Sequence, residues 1–191
     1  RGRYHQWQSL RDALLREQGP YGAAVLRMND ALFFGEPDDS TVAAAAAKLD
    51  QVARLAADSI RPGSDWGWVI VRAVSLCRST VWRLAHGQTA GARQAQRELL
   101  QMREPDILGR GQPSPVRAVV CAGLIGALLA EQEGGDARGA VLQLDSIMRP
   151  APGGPERLGL LEGNLAVAAL LARHGEPARA LAAVRRGCPW E

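Results

Sequence analysis

Apolar residues recur every three or four positions along nearly the whole chain, which is the spacing of amphipathic α-helices. Trp7, Leu10 and Leu14 share one face of an opening helix, and the same spacing continues over residues 21–34 and 39–60. Residues 69–71 are β-branched and would suit a strand, but the length of the segment favours a helix. The pattern therefore predicts an all-α chain of about nine helices.

Glycine and proline divide this helical pattern. The sequence RPGS at residues 61–64 predicts the end of one helix and the beginning of the next, and it marks the main internal boundary. We expect N-terminal helices in residues 1–62 to pack on helical repeats in residues 63–191. Longer loops rich in glycine and proline are predicted at residues 104–113 and 149–155.

Three turns within residues 63–191 share a pattern in which an alanine follows a glycine five positions later. Glycine can adopt the left-handed conformation that ends a helix, and a small alanine lets two antiparallel helices approach closely. Acidic residues after two of the glycines suit the start of the next helix. The glycines are Gly87, Gly135 and Gly175, and the alanines are Ala92, Ala140 and Ala180.

This pattern resembles the tetratricopeptide-repeat family, whose consensus has Gly-Asp at the turn between two helices and alanine five residues after the glycine. The match is best at Ala168, Gly175, Glu176, Ala180 and Val184. The intervals from 87 to 135 and from 135 to 175 are 48 and 40 residues, against about 34 in the family. The resemblance implies antiparallel helix hairpins stacked into a short tetratricopeptide-like α-solenoid with one concave face.

The ending ALAAVRRGCPW also looks like the C-terminal helical regions of large bacterial multidomain regulators that begin with a Ser/Thr kinase or winged-helix activator domain. This resemblance implies a non-catalytic protein-interaction or scaffold module, covalently attached to neighbouring domains and binding a protein or peptide. One alternative is a ligand-sensing domain of a transcription regulator, with a pocket near Trp66 and Trp82. Another is an all-helical enzyme without a local motif.

A surface for the partner is predicted on the segment that begins near residue 66. Trp66 and Trp68 cannot share a helix face, so one of them is expected in the core and the other partly exposed. Eight arginines and three acids lie between residues 72 and 117, but Arg72 and Arg78 point to different sides of one helix, which disfavours nucleic acid. The candidate surface consists of Trp66, Arg72, Trp82 and Arg83.

The sequence offers no catalytic residue, cofactor site or metal site. His86 and His174 precede turn glycines, where we expect solvent-facing side chains at helix C-termini, and no third metal ligand accompanies them. The single lysine, Lys48, lies outside any phosphate-binding motif. The acidic cluster at residues 36–39 lacks the spacing of the aspartate-rich motifs that hold magnesium in helical enzymes.

Composition and cysteine content refine this picture. Aromatic residues make up only 5% of the chain and the net charge is +3. Three cysteines form no C-x-x-C motif, so we expect no disulfide framework, a reducing cytoplasmic location, and core positions for Cys77 and Cys121. The most apolar run, residues 116–130, is shorter than the roughly 20 residues of a membrane-spanning helix.

The last predicted helix, from Pro177 onwards, carries Leu181 and Val184 on one side. The end of a repeat stack needs a polar outer face or a cap. We therefore expect an apolar patch at this end and a continuation into further helices.

Overall fold

The computed structural model describes residues 39–59, 66–102, 117–149 and 156–187, together with residues 13, 16, 23 and 24. Within these residues every regular element is an α-helix, which confirms the all-α prediction, including a helix across residues 69–71. The helices are α1 Asp39–Ser59, α2 Trp66–Ala85, α3 Ala92–Gln101, α4 Arg117–Glu133, α5 Ala137–Met148, α6 Glu156–Arg173 and α7 Pro177–Gly187.

Several predicted features lie outside the described residues. These are the opening helix around Trp7, most of residues 21–34, the boundary between residues 62 and 63, and the loops at 104–113 and 150–155. Residues 13, 16, 23 and 24 are helical.

Helices α2, α4 and α6 end in the same way. In each case the residue after a left-handed glycine donates its backbone N–H to the carbonyl five residues earlier, at 2.8, 2.8 and 2.9 Å. This arrangement is a Schellman C-cap, which satisfies carbonyls that the helix leaves unpaired. The glycines are Gly87, Gly134 and Gly175, with φ of 72°, 72° and 74°.

The prediction that Gly135 takes the left-handed position is therefore wrong, because Gly134 occupies it. The start of α5 gives the physical reason. Asp136 caps this helix by accepting a hydrogen bond of 2.8 Å from the backbone N–H of Gly139. Gly135 is then the link between the end of α4 and this cap.

The shift also changes which alanine packs tightly in each pair of helices. Ala92 and Ala180 are buried as predicted, whereas Ala140 is only half-buried. Ala137 is buried near the start of α5 instead. The close-packing prediction thus holds in the first and last turns and fails in the middle one.

Helix α4 is the centre of the packing, since it contacts α2, α3, α5 and α6. One apolar cluster, which includes Ile125, joins α2 and α3 to one side of α4. A second cluster, which includes Leu144, joins α5, α6 and α7 to the other side. Leu128 is packed against both clusters, so the core is continuous across α4.

Helix α1 packs on α2 through its alanine-rich face. Ala45, Ala46 and Leu49 are buried around the ring of Trp82. Asp50 of α1 also forms an ion pair with Arg83 of α2.

Candidate interaction surface

Of the four residues predicted as a partner surface, the three with described side chains each contact another helix or lie in the core. Trp82 is only 7% exposed because α1 covers it. Arg83 is paired with Asp50 of α1, and Arg72 lies 2.9 Å from a Glu98 carboxylate oxygen of α3. The arginines therefore tie helices together, and the tryptophan is part of the core. Trp66 is the first residue of α2, and its side chain lies outside the description.

A different set of side chains lines one face of α2, α4 and α6. These residues lie ten and six positions before each left-handed glycine, a spacing of four that puts both members on one helix face. All six are apolar, Cys77 is buried, Ala169 is exposed, and the rest are half-buried. We call them the first-helix strip: Cys77 and Val81 of α2, Leu124 and Leu128 of α4, and Leu165 and Ala169 of α6.

Two links hold the α2 and α4 parts of the strip side by side. Cys77 forms a disulfide with Cys121, with the two Cα atoms 5.5 Å apart. At the turn end of the same helices, the side-chain amide of Gln132 donates a hydrogen bond to the carbonyl of Leu84. The two helices are thus linked at two places along their length.

The α4 and α6 parts of the strip are joined at their turn end by an ion cluster. Arg173 donates hydrogen bonds of 3.1 and 2.9 Å to the two carboxylate oxygens of Glu131. Nε2 of His174 lies 2.8 Å from one of these oxygens, and the histidine is half-buried. The expectation of a fully solvent-facing His174 is therefore wrong, because its ring fills the gap between two helix ends.

The ion cluster shifts the titration of its carboxylate. Burial raises the pKa of Glu131, but the hydrogen bonds from Arg173 and His174 and the positive charges outweigh burial. The net result is a Glu131 pKa below its ordinary value. The carboxylate accordingly stays ionised and bound to both partners at neutral pH.

Helices α3 and α5 each form an ion pair near the turn that follows, on opposite sides of its left-handed glycine. Arg93, near the start of α3, pairs with Glu133 at the end of α4. Arg138, near the start of α5, donates hydrogen bonds of 3.0 and 2.5 Å to Glu176, just before α7. The hydrogen bond from Arg138 lowers the pKa of Glu176.

The disulfide corrects the expectation that the cysteines are unbonded core residues. Cys77 and Cys121 are 44 positions apart and belong to different hairpins, so no local motif marks them as a pair. Their apolar surroundings were predicted correctly, since Cys77 is buried and Cys121 half-buried. Disulfides are typical of oxidising compartments, so the bond removes the cysteine-based argument for a reducing one.

The first-helix strip could have been found in the sequence only with the correct turn glycine. Counting six and ten positions back from Gly134 gives Leu128 and Leu124, which are half-buried. The same count from Gly135 gives Leu129 and Ile125, which are buried in the core. A one-residue error in the GG doublet therefore exchanges a half-buried pair of α4 residues for a buried pair.

The other residues singled out in the sequence are only partly described. In the parts of the chain that the structure describes, no group of three or more His, Cys, Asp or Glu side chains could hold a metal ion. Asp39 begins α1, while Glu36, Asp38 and residues 109–111 lie outside the description. None of the described helices is both long enough and apolar enough to cross a membrane.

Comparison of the chain with protein-family models, with curated proteins and with solved structures finds no match.

Proposed function

We propose that the protein is a non-catalytic interaction module, in which the first-helix strip binds a peptide segment of a protein partner. The observation that carries this proposal is the row of apolar side chains on three successive first helices, which apart from the buried Cys77 stay at least partly open to solvent. Apolar surface that stays accessible on a helical scaffold is the usual feature of a peptide-binding groove.

The arrangement of the helix pairs supports a stacked scaffold. On this proposal α2/α3, α4/α5 and α6/α7 are tetratricopeptide-like hairpins, each packed on the next. The equivalent Schellman turns that end α2, α4 and α6 are expected of a repeated unit, and α3 and α5 each form an ion pair near the next turn. In such a stack the first helices form one continuous face, and the strip runs across it.

Polar side chains border the apolar strip at the end near the turns. Near the turns the strip is bordered by Glu131, Arg173 and the exposed amide of Gln132. The Glu131 carboxylate and the Gln132 nitrogen are bound within the protein. The Gln132 side-chain oxygen and the exposed Arg173 are therefore the groups expected to bond a peptide, while Leu124 and Leu128 offer apolar contact. A peptide with alternating apolar and polar residues fits this surface.

The ligand-sensing alternative rested on a pocket near Trp66 and Trp82. The space around the Trp82 ring is filled by α1 side chains and by His86, whose ring centroid is 4.3 Å away. No observation on the described residues favours this alternative over a peptide groove.

The strip can be tested by blocking it at an exposed position. Ala169→Glu places a charged side chain on the strip at an exposed site of α6, so the fold should be retained. Ala44→Glu is the matched control, since Ala44 is an exposed helical alanine of α1 outside the strip. Peptides are selected from a displayed random library on the wild-type chain, and their affinity for each variant is measured by fluorescence anisotropy.

We expect the selected peptides to bind Ala169→Glu at least about tenfold more weakly than wild type, and Ala44→Glu as tightly as wild type. Enrichment of peptides that bind both variants equally would place recognition elsewhere. Failure of the library to yield any binder would count against the peptide-groove proposal itself.

A further inference from the structure

The outer side of α7 exposes two large apolar residues. Leu181 is 52% exposed and Val184 is 36% exposed, whereas Ala180 and Ala183 of the same helix are buried. This confirms the apolar patch expected at this end of the helices. Leu181 and Val184 lie three positions apart and therefore share one flank of α7.

The corresponding flank of α3 is in contact with a neighbouring helix and can be compared with the flank of α7. Ala92 and Ala95, five and eight positions after Gly87, are buried, as are Ala180 and Ala183 at the same distances after Gly175. Helices α3 and α7 therefore bury the same face, when residues are counted from the preceding left-handed glycine.

Residues six and nine positions after Gly87 both reach α4, the first helix of the next hairpin. Arg93 pairs with Glu133, and the amide of Gln96 donates a hydrogen bond of 3.1 Å to the carbonyl of Ala122. Leu181 and Val184 lie six and nine positions after Gly175. They therefore occupy on α7 the positions with which α3 meets α4.

We infer that the flank formed by Leu181, Val184 and Arg185 binds an amphipathic helix of a partner, in the position that α4 takes on α3. Arg185 is exposed one turn from Leu181, so the partner helix should carry a carboxylate beside its apolar stripe, as Glu133 does for Arg93. This surface is separate from the first-helix strip, and the inference does not depend on peptide binding there.

Charge argues against a second copy of the chain as the occupant. A two-fold contact would place α7 against α7 and bring the two Arg185 side chains together. The chain as a whole also carries a net charge of +3. An acidic amphipathic helix removes both repulsions and supplies the apolar contact.

The test uses a designed probe with the full chain. The probe is a fluorescent helical peptide with leucines spaced three and four apart and glutamates on both borders of the stripe. A second probe has lysine in place of every glutamate. Affinities are measured by anisotropy for wild type, Leu181→Ser, Arg185→Glu and the control Leu100→Ser, which removes a leucine that is 59% exposed on α3.

We expect the acidic probe to bind wild type and Leu100→Ser equally, and to bind Leu181→Ser and Arg185→Glu about tenfold more weakly. Arg185→Glu should in turn prefer the lysine probe. Because Leu181 is exposed, its serine variant should keep the wild-type urea midpoint, so loss of binding is not loss of folding.

Three results would overturn the inference. The first is equal weakening by Leu181→Ser and Leu100→Ser, which would indicate non-specific apolar association. The second is acidic and basic probes binding wild type alike. The third is a wild-type dimer in analytical ultracentrifugation that Leu181→Ser dissociates, which would make a second copy the occupant.

Discussion

Nε2 of His174 lies 2.8 Å from a carboxylate oxygen of Glu131, and this contact joins the end of α6 to the end of α4, 43 residues earlier. Arg173 binds the same carboxylate through both of its oxygens. The histidine that was expected to face solvent thus joins two helix ends.

Removal of the Glu131 charge should lower the free energy of unfolding at neutral pH. It should also make that free energy fall less steeply as the pH is lowered. The pKa of Glu131 is lowered below 4.5 in the folded protein, so its stabilisation is present above the unfolded-state pKa and lost as the pH falls through the folded-state pKa. Glu131→Gln should cost about 0.5–1 kcal/mol at pH 7.

The difference between wild type and Glu131→Gln should shrink on going to about pH 3 and in about 1 M salt. Urea unfolding at several pH values gives the comparison, with Glu133→Gln as a control that removes a more exposed carboxylate. A constant difference across the pH range would show that the carboxylate charge is not what stabilises this contact.

A buried carboxylate holds α5 and α7 together. The Asp145 side chain is 1% exposed; it accepts hydrogen bonds of 3.1 and 2.6 Å from Arg149 and one of 2.6 Å from Arg186. Asp145→Ala removes these charge-assisted hydrogen bonds, while both arginines still reach solvent. The free energy of unfolding should therefore fall by about 1.5–3 kcal/mol.

Gln143→Ala is the matched control, since Gln143 is exposed on the same helix. It should change the free energy of unfolding by no more than about 0.5 kcal/mol. Urea midpoints at neutral pH measure both variants. Equal effects of the two substitutions would mean that Asp145 makes no net contribution.

The disulfide predicts a definite thiol count and a dependence of stability on reductant. The chain has three cysteines, so with Cys77 and Cys121 bonded, a thiol reagent should detect one thiol per unfolded chain before reduction and three after it. A bridge between residues 44 positions apart stabilises the fold by about 4 kcal/mol in the chain-entropy model.

Reductant should accordingly lower the urea midpoint of the wild type. The variant with serine at both Cys77 and Cys121 should have the midpoint of the reduced protein and no response to reductant. Cys188→Ser should behave as wild type. Three reactive thiols in the unreduced protein would contradict the disulfide.

The sequence predicts helices well because each one depends on local spacing. The apolar spacing of α1, the end of α2 at Gly87 and the N-cap of α5 at Asp136 each depend on residues that are close together in the sequence. Packing partners are harder to predict. Whether Trp82 is exposed depends on α1, more than thirty residues earlier, and the partner of Cys77 is in another hairpin.

The candidate surface was missed for a related reason. In the doublet at residues 134 and 135 both glycines can take a left-handed conformation at no steric cost, so the sequence alone does not choose between them. The choice follows from the Asp136 cap and from the packing of α5 on α4. That choice determines which residues of α4 are aligned with the strip positions of α2 and α6.

The packing of α7 on α6 gives the last prediction. Ala180 is 8% exposed and Ala183 is fully buried, so α7 meets its neighbours through side chains of minimal size. Ala180→Leu adds a branched side chain where no room is left, and overpacking of this kind costs about 1–3 kcal/mol. Ala182→Leu is the matched control, since Ala182 is exposed on the same helix and the substitution keeps helix propensity nearly constant. The free energy of unfolding, measured with urea, should fall for Ala180→Leu and stay within about 0.5 kcal/mol for Ala182→Leu. An unchanged midpoint for Ala180→Leu would mean that α7 does not pack on its neighbours through this alanine face, and the flank that it exposes at Leu181 would then have to be reassigned.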